Sequence, residues 1–119
     1  MNEMIENIVS DMSEDIKIVD DDLMVNVAGV AQALGQLRKA LDKVDECLDQ
    51  RQFSKASSLG YKDVSSEFIF LQRVLGGLQD SQNHKQKLVQ DVALKAKVSY
   101  EEAAPFLEKH MDSLNPKKV

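Results

Sequence analysis

Residues 23 to 48 read LMVNVAGVAQALGQLRKALDKVDECL, and the fold turns on this stretch. Its apolar residues Leu23, Val27, Val30, Leu34, Leu37, Leu41, Val44 and Leu48 recur at alternating intervals of four and three. That interval places them all on one seam of an α-helix. At about 1.5 Å per residue such a helix is roughly 40 Å long. A seam of that length has to be buried against another helix, from this chain or from another. Beside it lie Ala28, Gly29, Ala31, Ala33, Gly35 and Ala40, small residues that let a partner backbone come close. Arg38, Lys39, Asp42, Lys43, Asp45 and Glu46 read as a solvated face with local ion pairs.

Working outward toward the N-terminus, Asp20-Asp21-Asp22 predicts a break, with the long helix starting there. Aspartate is a poor interior helix residue and a good N-cap, and acids suit the positive end of the helix dipole. Before the break, residues 2 to 17 can form an amphipathic helix with Ile5, Val9, Met12 and Ile16 on one face. Residues 1 to 22 hold Glu3, Glu6, Asp11, Glu14, Asp15, Asp20, Asp21 and Asp22 against Lys17 alone. That segment is −7 in a chain of −5, which leaves the remainder at +2. The expected organisation is an acidic amphipathic arm over residues 1–21 and a helical bundle domain over 22–119.

Toward the C-terminus, residues 50 to 62 read as a connector containing a short helix, with Gly60 as a helix stop. The seam then returns at Val64, Phe68, Leu71, Leu75 and Leu78. Carried onward, the register meets Gln82 and Lys85 before reaching Val89, Val92 and Ala96. The polar run Gln79 to Lys87 is either a turn or part of one long helix, and the unbroken frame favours the helix. Ser99-Tyr100-Glu101-Glu102 has the spacing of a capping box and opens a last helix with Phe106, Leu107, Met111 and Leu114. Pro105 removes a hydrogen bond there and should kink it. Residues 115 to 119 read as a frayed tail.

The fold class that follows is all-α. It is a small helical bundle or antiparallel helical hairpin with long heptad-patterned helices, an N-terminal amphipathic helix and a short C-terminal helix. Length, 119 residues, allows one domain. The 5% aromatic content and absence of Trp point away from sandwiches and barrels. The two seams should pack antiparallel, with Leu48 near Val64 and Leu34 near Leu78.

For chemistry the sequence offers little. His84 and His110 lie in no acid–base or metal motif, and Cys47 is flanked by Asp45, Glu46 and Asp49 rather than by cations. There is no glycine-rich phosphate loop. The reading is no enzyme, no cofactor and no metal site. One cysteine and no run of 18 apolar residues suggest a soluble, cytoplasmic protein that does not enter membranes.

Residues 88 to 107, LVQDVALKAKVSYEEAAPFL, resemble a helix-turn-helix through Ala93, Ala96, Val98-Ser99, Ala103 and Leu107. They are also similar to the first helical hairpin of bacterial HU-type proteins and to ubiquitin-associated domains. The resemblance implies a DNA-binding regulator using residues 88–110, with Lys85, Lys87, Lys95 and Lys97 on phosphate. Three features oppose it. Glu101 and Glu102 sit where phosphate would lie, Pro105 bends the second helix, and Lys97 replaces the usual turn glycine. The main expectation is a non-enzymatic assembly protein, adaptor or chaperone that acts on protein partners by coiled-coil-like self-association, with nucleic acid unfavoured. The expected interface is Ile5, Val9, Met12, Ile16, Met24, Val25, Ala28, Ala31 and Gly35. The seam itself is expected to be core.

Overall fold

The computed structural model describes residues 2 to 114 and is all-α. Helix α1 spans Asn2–Asp11, α2 Ser13–Asp49, α3 Phe53–Leu59, α4 Ser65–Ala96 and α5 Tyr100–Leu114. A π-helical turn, Gly60–Val64, joins α3 to α4. The tail expected at 115 to 119 lies outside the described residues.

No break occurs at Asp20–Asp22. The helix runs through them, and the interruption is at Met12, where one residue separates α1 from α2. Aspartate costs at most about 0.7 kcal/mol in a helix interior. Burial of Ile16 and Val19 on the preceding turn outweighs that cost. Even at Met12 the backbone ladder barely lapses. Met12 N–H reaches the carbonyls of Ile8 and Val9, both at 3.1 Å, and Ile16 N–H reaches Met12 at 3.0 Å.

The connector expected at 50 to 62 is also not a loop. The chain reverses in three residues. Gln52 N–H donates to the Cys47 carbonyl at 2.8 Å and Arg51 N–H to the Leu48 carbonyl at 3.0 Å. Arg51 takes the left-handed conformation, φ 59°. This is the Schellman closure of a helix, with arginine where glycine is usual. From Phe53 the chain is helical again. Gly60 stops nothing: its φ and ψ are −60° and −45°. The i to i−5 step of the π turn is made by Ser65 N–H on the Gly60 carbonyl. Ser66 Oγ donates to the Lys62 carbonyl at 2.7 Å.

The polar run Gln79 to Lys87 is helical throughout, inside α4, as the unbroken frame suggested. Lys85, at a seam position, is neither buried unpaired nor in open water. It forms an ion pair with Glu108 of α5. Helix α4 ends in a second Schellman closure. Val98 N–H donates to Ala93 at 3.0 Å, Lys97 N–H to Leu94 at 3.3 Å, and Lys97 has φ 57°. Ser99 Oγ accepts the Glu102 N–H at 3.1 Å and caps α5, which continues through Pro105.

The described residues form two compact units. One joins the chain up to Met24 with the chain from Asp80, and the other is Val25–Gln79. The first has a core of Ile5, Val9, Met12, Ile16 and Val19 from α1, α2 and the residue between them. Val89, Val92, Ala93 and Ala96 of α4 and Ala103, Leu107 and Met111 of α5 complete it. The acidic arm is therefore not free: its apolar stripe is interior, and α1 packs on α5. Polar Asp20 and Ser81 are also buried there.

The second unit is a two-helix hairpin. Asn26 Nδ2 donates to the Gly77 carbonyl at 3.3 Å. A methyl group on Gly29 would lie 3.0 Å from Val74 Cγ1. These contacts make the helices antiparallel and set residue 29 level with 74, so Leu34 is level with Phe68 or Ile69 rather than Leu78. The expected pairing was offset because it assigned a loop to residues that are helix.

Candidate interaction surface

The hairpin can be read row by row. Let Val30 be position a and Ala33 position d of the heptad in α2, and Leu71 and Val74 the same positions in α4. In α2 the d row, Ala33, Ala40 and Cys47, is buried, and the a row, Val30, Leu37 and Val44, is half-buried. The buried row of α2 is thus small, which suits the close approach at Gly29 and Gly77. The larger residues lie one row over. Row e of α2 is Val27, Leu34, Leu41 and Leu48, and all four are exposed. These belong to the seam expected to be core, and the structure corrects that expectation. Close helix pairing selects the narrow d row, and the bulky e row turns away from it.

Row e of α4 behaves alike. Leu75 and Phe68 are exposed, Tyr61 lies seven residues earlier, and Phe53 eight earlier still. The extra residue is the one the π turn absorbs. The inward row of the same segment shows the same interval, buried Leu71, half-buried Val64 and then buried Ala56. The π turn therefore keeps both the inner and the outer row in line across a one-residue insertion.

In an antiparallel pair, equivalent heptad positions fall on the same side. Both e rows therefore share one side of the hairpin. They form four layers: Val27 with Leu75, Leu34 with Phe68, Leu41 with Tyr61, and Leu48 with Phe53. Exposure across these eight residues runs from 44% at Leu75 to 82% at Tyr61. The opposite side is polar. Gln36, Lys39 and Lys43 line a shallow groove there with Asp63, Ser66 and Glu67. Val25 and Phe70 are the apolar exceptions on that side.

The first unit supplies an internal comparison. Counted along the same helices, row e there is Ser13 and Asp20 in α2 and Gln82, Val89 and Ala96 in α4. Asp20, Val89 and Ala96 are buried at 1 to 2% exposure, Ser13 is half-buried, and Gln82 is exposed. That unit has a further helix, α5, whose Ala103, Leu107 and Met111 complete its core. Where α5 completes the core, the row-e residues Val89 and Ala96 are interior. In the hairpin row e is bare.

The residues expected to form an interface divide accordingly. Ile5, Val9, Met12 and Ile16 are buried in the chain's own core, because α5 and the end of α4 cover that stripe. Met24, Val25, Ala28 and Ala31 are exposed and Gly35 is half-buried. They lie outside the e row, with Met24 and Ala31 flanking it. Val27, Leu34, Leu41, Leu48, Phe53, Tyr61, Phe68 and Leu75 were missed as surface residues. The available signal was a third apolar position per heptad, which is more than one neighbouring helix can cover.

Other polar groups have structural settings. Ser13 Oγ and His110 Nε2 are 2.9 Å apart and link the start of α2 to α5. His84 is exposed, and Cys47 is buried in the hairpin. Among the described residues no group of three His, Cys, Asp or Glu side chains could hold a metal ion. No described helix is long and apolar enough to cross a membrane. Of the lysines considered for DNA, Lys87, Lys95 and Lys97 are exposed and Lys85 is held by Glu108. Glu101 and Glu102 are exposed on the first turn of α5. The chain matches no protein-family model, no curated protein and no solved structure.

Proposed function

We propose that this chain is a non-enzymatic assembly protein that works by presenting the apolar side of its 25–79 hairpin to another helical surface. The observation that carries the reading is the bare e row: eight large apolar side chains in four layers on one side of a two-helix unit. A contiguous patch of this kind marks an interaction site far more often than an ordinary surface. The polar groove on the other side is what a solvated face looks like. The small d row explains how a hairpin can hold together while keeping its larger residues for an outside contact.

A photo-crosslinking residue at position 41 tests this. It should trap a protein whose identity mass spectrometry then gives, whereas the same residue at exposed Gln32, three rows away from row e, should trap none. Equal capture at both positions would defeat the reading.

Helix-turn-helix DNA binding is a second reading, favoured by the tight Lys97 turn between α4 and α5. It predicts a gel shift on mixed DNA that weakens steeply with salt. The exposed Glu101 and Glu102 on the first turn of α5 oppose it.

A further inference from the structure

We infer that the occupant of the hairpin's apolar side is the same side of a second copy of this chain. The two copies stack so that each α2 lies on the other's α4. This rests on the proposal that the e rows are an interaction surface, and it names the partner.

Three observations select a second copy. The first is amount. The eight exposed side chains present roughly 800 Å² of surface, which is what each partner contributes to a standard interface, about 800 Å². The second is shape. All four layers have an apolar residue on each helix, so face-to-face stacking of identical copies gives four layers of four side chains with no layer left half polar. The third is the contrast within the chain. Row e is buried at Asp20, Val89 and Ala96 in the unit that carries α5, while the apolar row-e residues of the hairpin are exposed.

Charge selects the orientation. Two stackings match apolar layers throughout. In one, the two-fold axis runs parallel to the helices, α2 packs on the other copy's α4, and each layer meets its own counterpart. In the other, the axis is perpendicular, α2 packs antiparallel on the other copy's α2, and the layer of Leu34 meets that of Leu41. The row flanking e on α2 contains Ala31, Arg38 and Asp45, and that on α4 contains Ser65, Gln72 and Gln79. The perpendicular axis passes near residue 38 and sets Arg38 against Arg38 of the other copy, a like-charge contact at the rim. The parallel axis sets Arg38 beside the uncharged row of α4. The parallel axis is the one the sequence permits without opposition.

Spin labels read this geometry. With Cys47→Ala as background, Lys39→Cys and Val25→Cys are labelled in separate samples, and pulsed electron resonance measures the distance between copies. A two-fold axis along the helices predicts similar distances at both positions. A perpendicular axis predicts a clearly larger separation at position 25, because thirteen residues from the axis at about 1.5 Å each offset the two labels along the helices by about 39 Å there and by only about 3 Å at position 39. Dipolar coupling with matched distances is the expected result. It should vanish in Leu34→Glu, whose helix signal in circular dichroism should be retained. Strongly unequal distances would overturn the orientation, and no coupling at high micromolar concentration would overturn the second copy. If coupling is absent while the crosslinker at 41 still traps a different protein, the interaction surface stands and the self-association falls.

Discussion

Lys97 and Arg51 each hold a left-handed backbone conformation that a Cβ atom disfavours by about 1 to 2 kcal/mol. Glycine at either place keeps the Schellman hydrogen bonds and loses the clash. Lys97→Gly should raise unfolding free energy by up to about 1 kcal/mol in urea denaturation, and an unchanged or lower value would contradict the assigned turn. Two neighbouring glycines should part company. Gly76→Ala meets nothing within 4 Å and should stabilise by about 0.5 to 1 kcal/mol. Gly77→Ala would set its methyl 2.9 Å from Asn26 Oδ1 and disturb the Asn26 contact, so it should stabilise less or destabilise. In the first unit, Ile16 and Leu107 are fully buried. Ile16→Ala or Leu107→Ala should each cost about 2 to 5 kcal/mol, and a loss under about 0.5 kcal/mol would mean these positions are not core.

At the scale of elements, the π turn is a register device, and it has a direct test. Deleting Gly60 removes the inserted residue, closes the interval from Phe53 to the tyrosine to seven, and should leave a folded hairpin. Deleting Gln72, inside the regular part of α4, moves Phe68 and the residues before it out of their rows and should lower the melting temperature sharply. Equal tolerance of both deletions would contradict the row assignment. Continuity of α4 predicts slow amide exchange from Gln79 to Lys87, and a fast-exchanging break there would contradict it. Much of this layer was legible in the sequence. The heptads of both long helices, the capping Ser99 and the unbroken frame through Gln82 and Lys85 all correspond to observed helix. What was not legible was which row faces inward. Leu34, Leu41 and Leu48 look more like core than Ala33, Ala40 and Cys47, yet close pairing uses the small row. The helix break placed at Asp20–Asp22 failed for a related reason. Local propensity is worth tenths of a kcal/mol per residue, and burial of Ile16 and Val19 is worth more.

At the scale of the molecule, one pair of long helices serves two kinds of packing. Near Ile16 and Val92 they share a core with α1 and α5, and the acidic arm is absorbed into it. Along 25–79 α2 buries its small d row, half-buries its a row and leaves the bulky row e outside. The polar run from Gln79 marks the change: row e is apolar at Leu75, polar at Gln82, and apolar but interior at Val89. The candidate surface was only half legible for the same reason. Heptad counting shows that a third apolar row exists, but not where the chain itself covers it. Everything at this scale turns on the bare row being a contact surface between copies. Size-exclusion chromatography with light scattering tests it most directly. Wild-type protein should show twice the chain mass of 13.3 kDa, and Leu34→Glu with Leu41→Glu should show the single-chain mass with an unchanged helix signal. A wild-type mass of one chain at high micromolar concentration would contradict it.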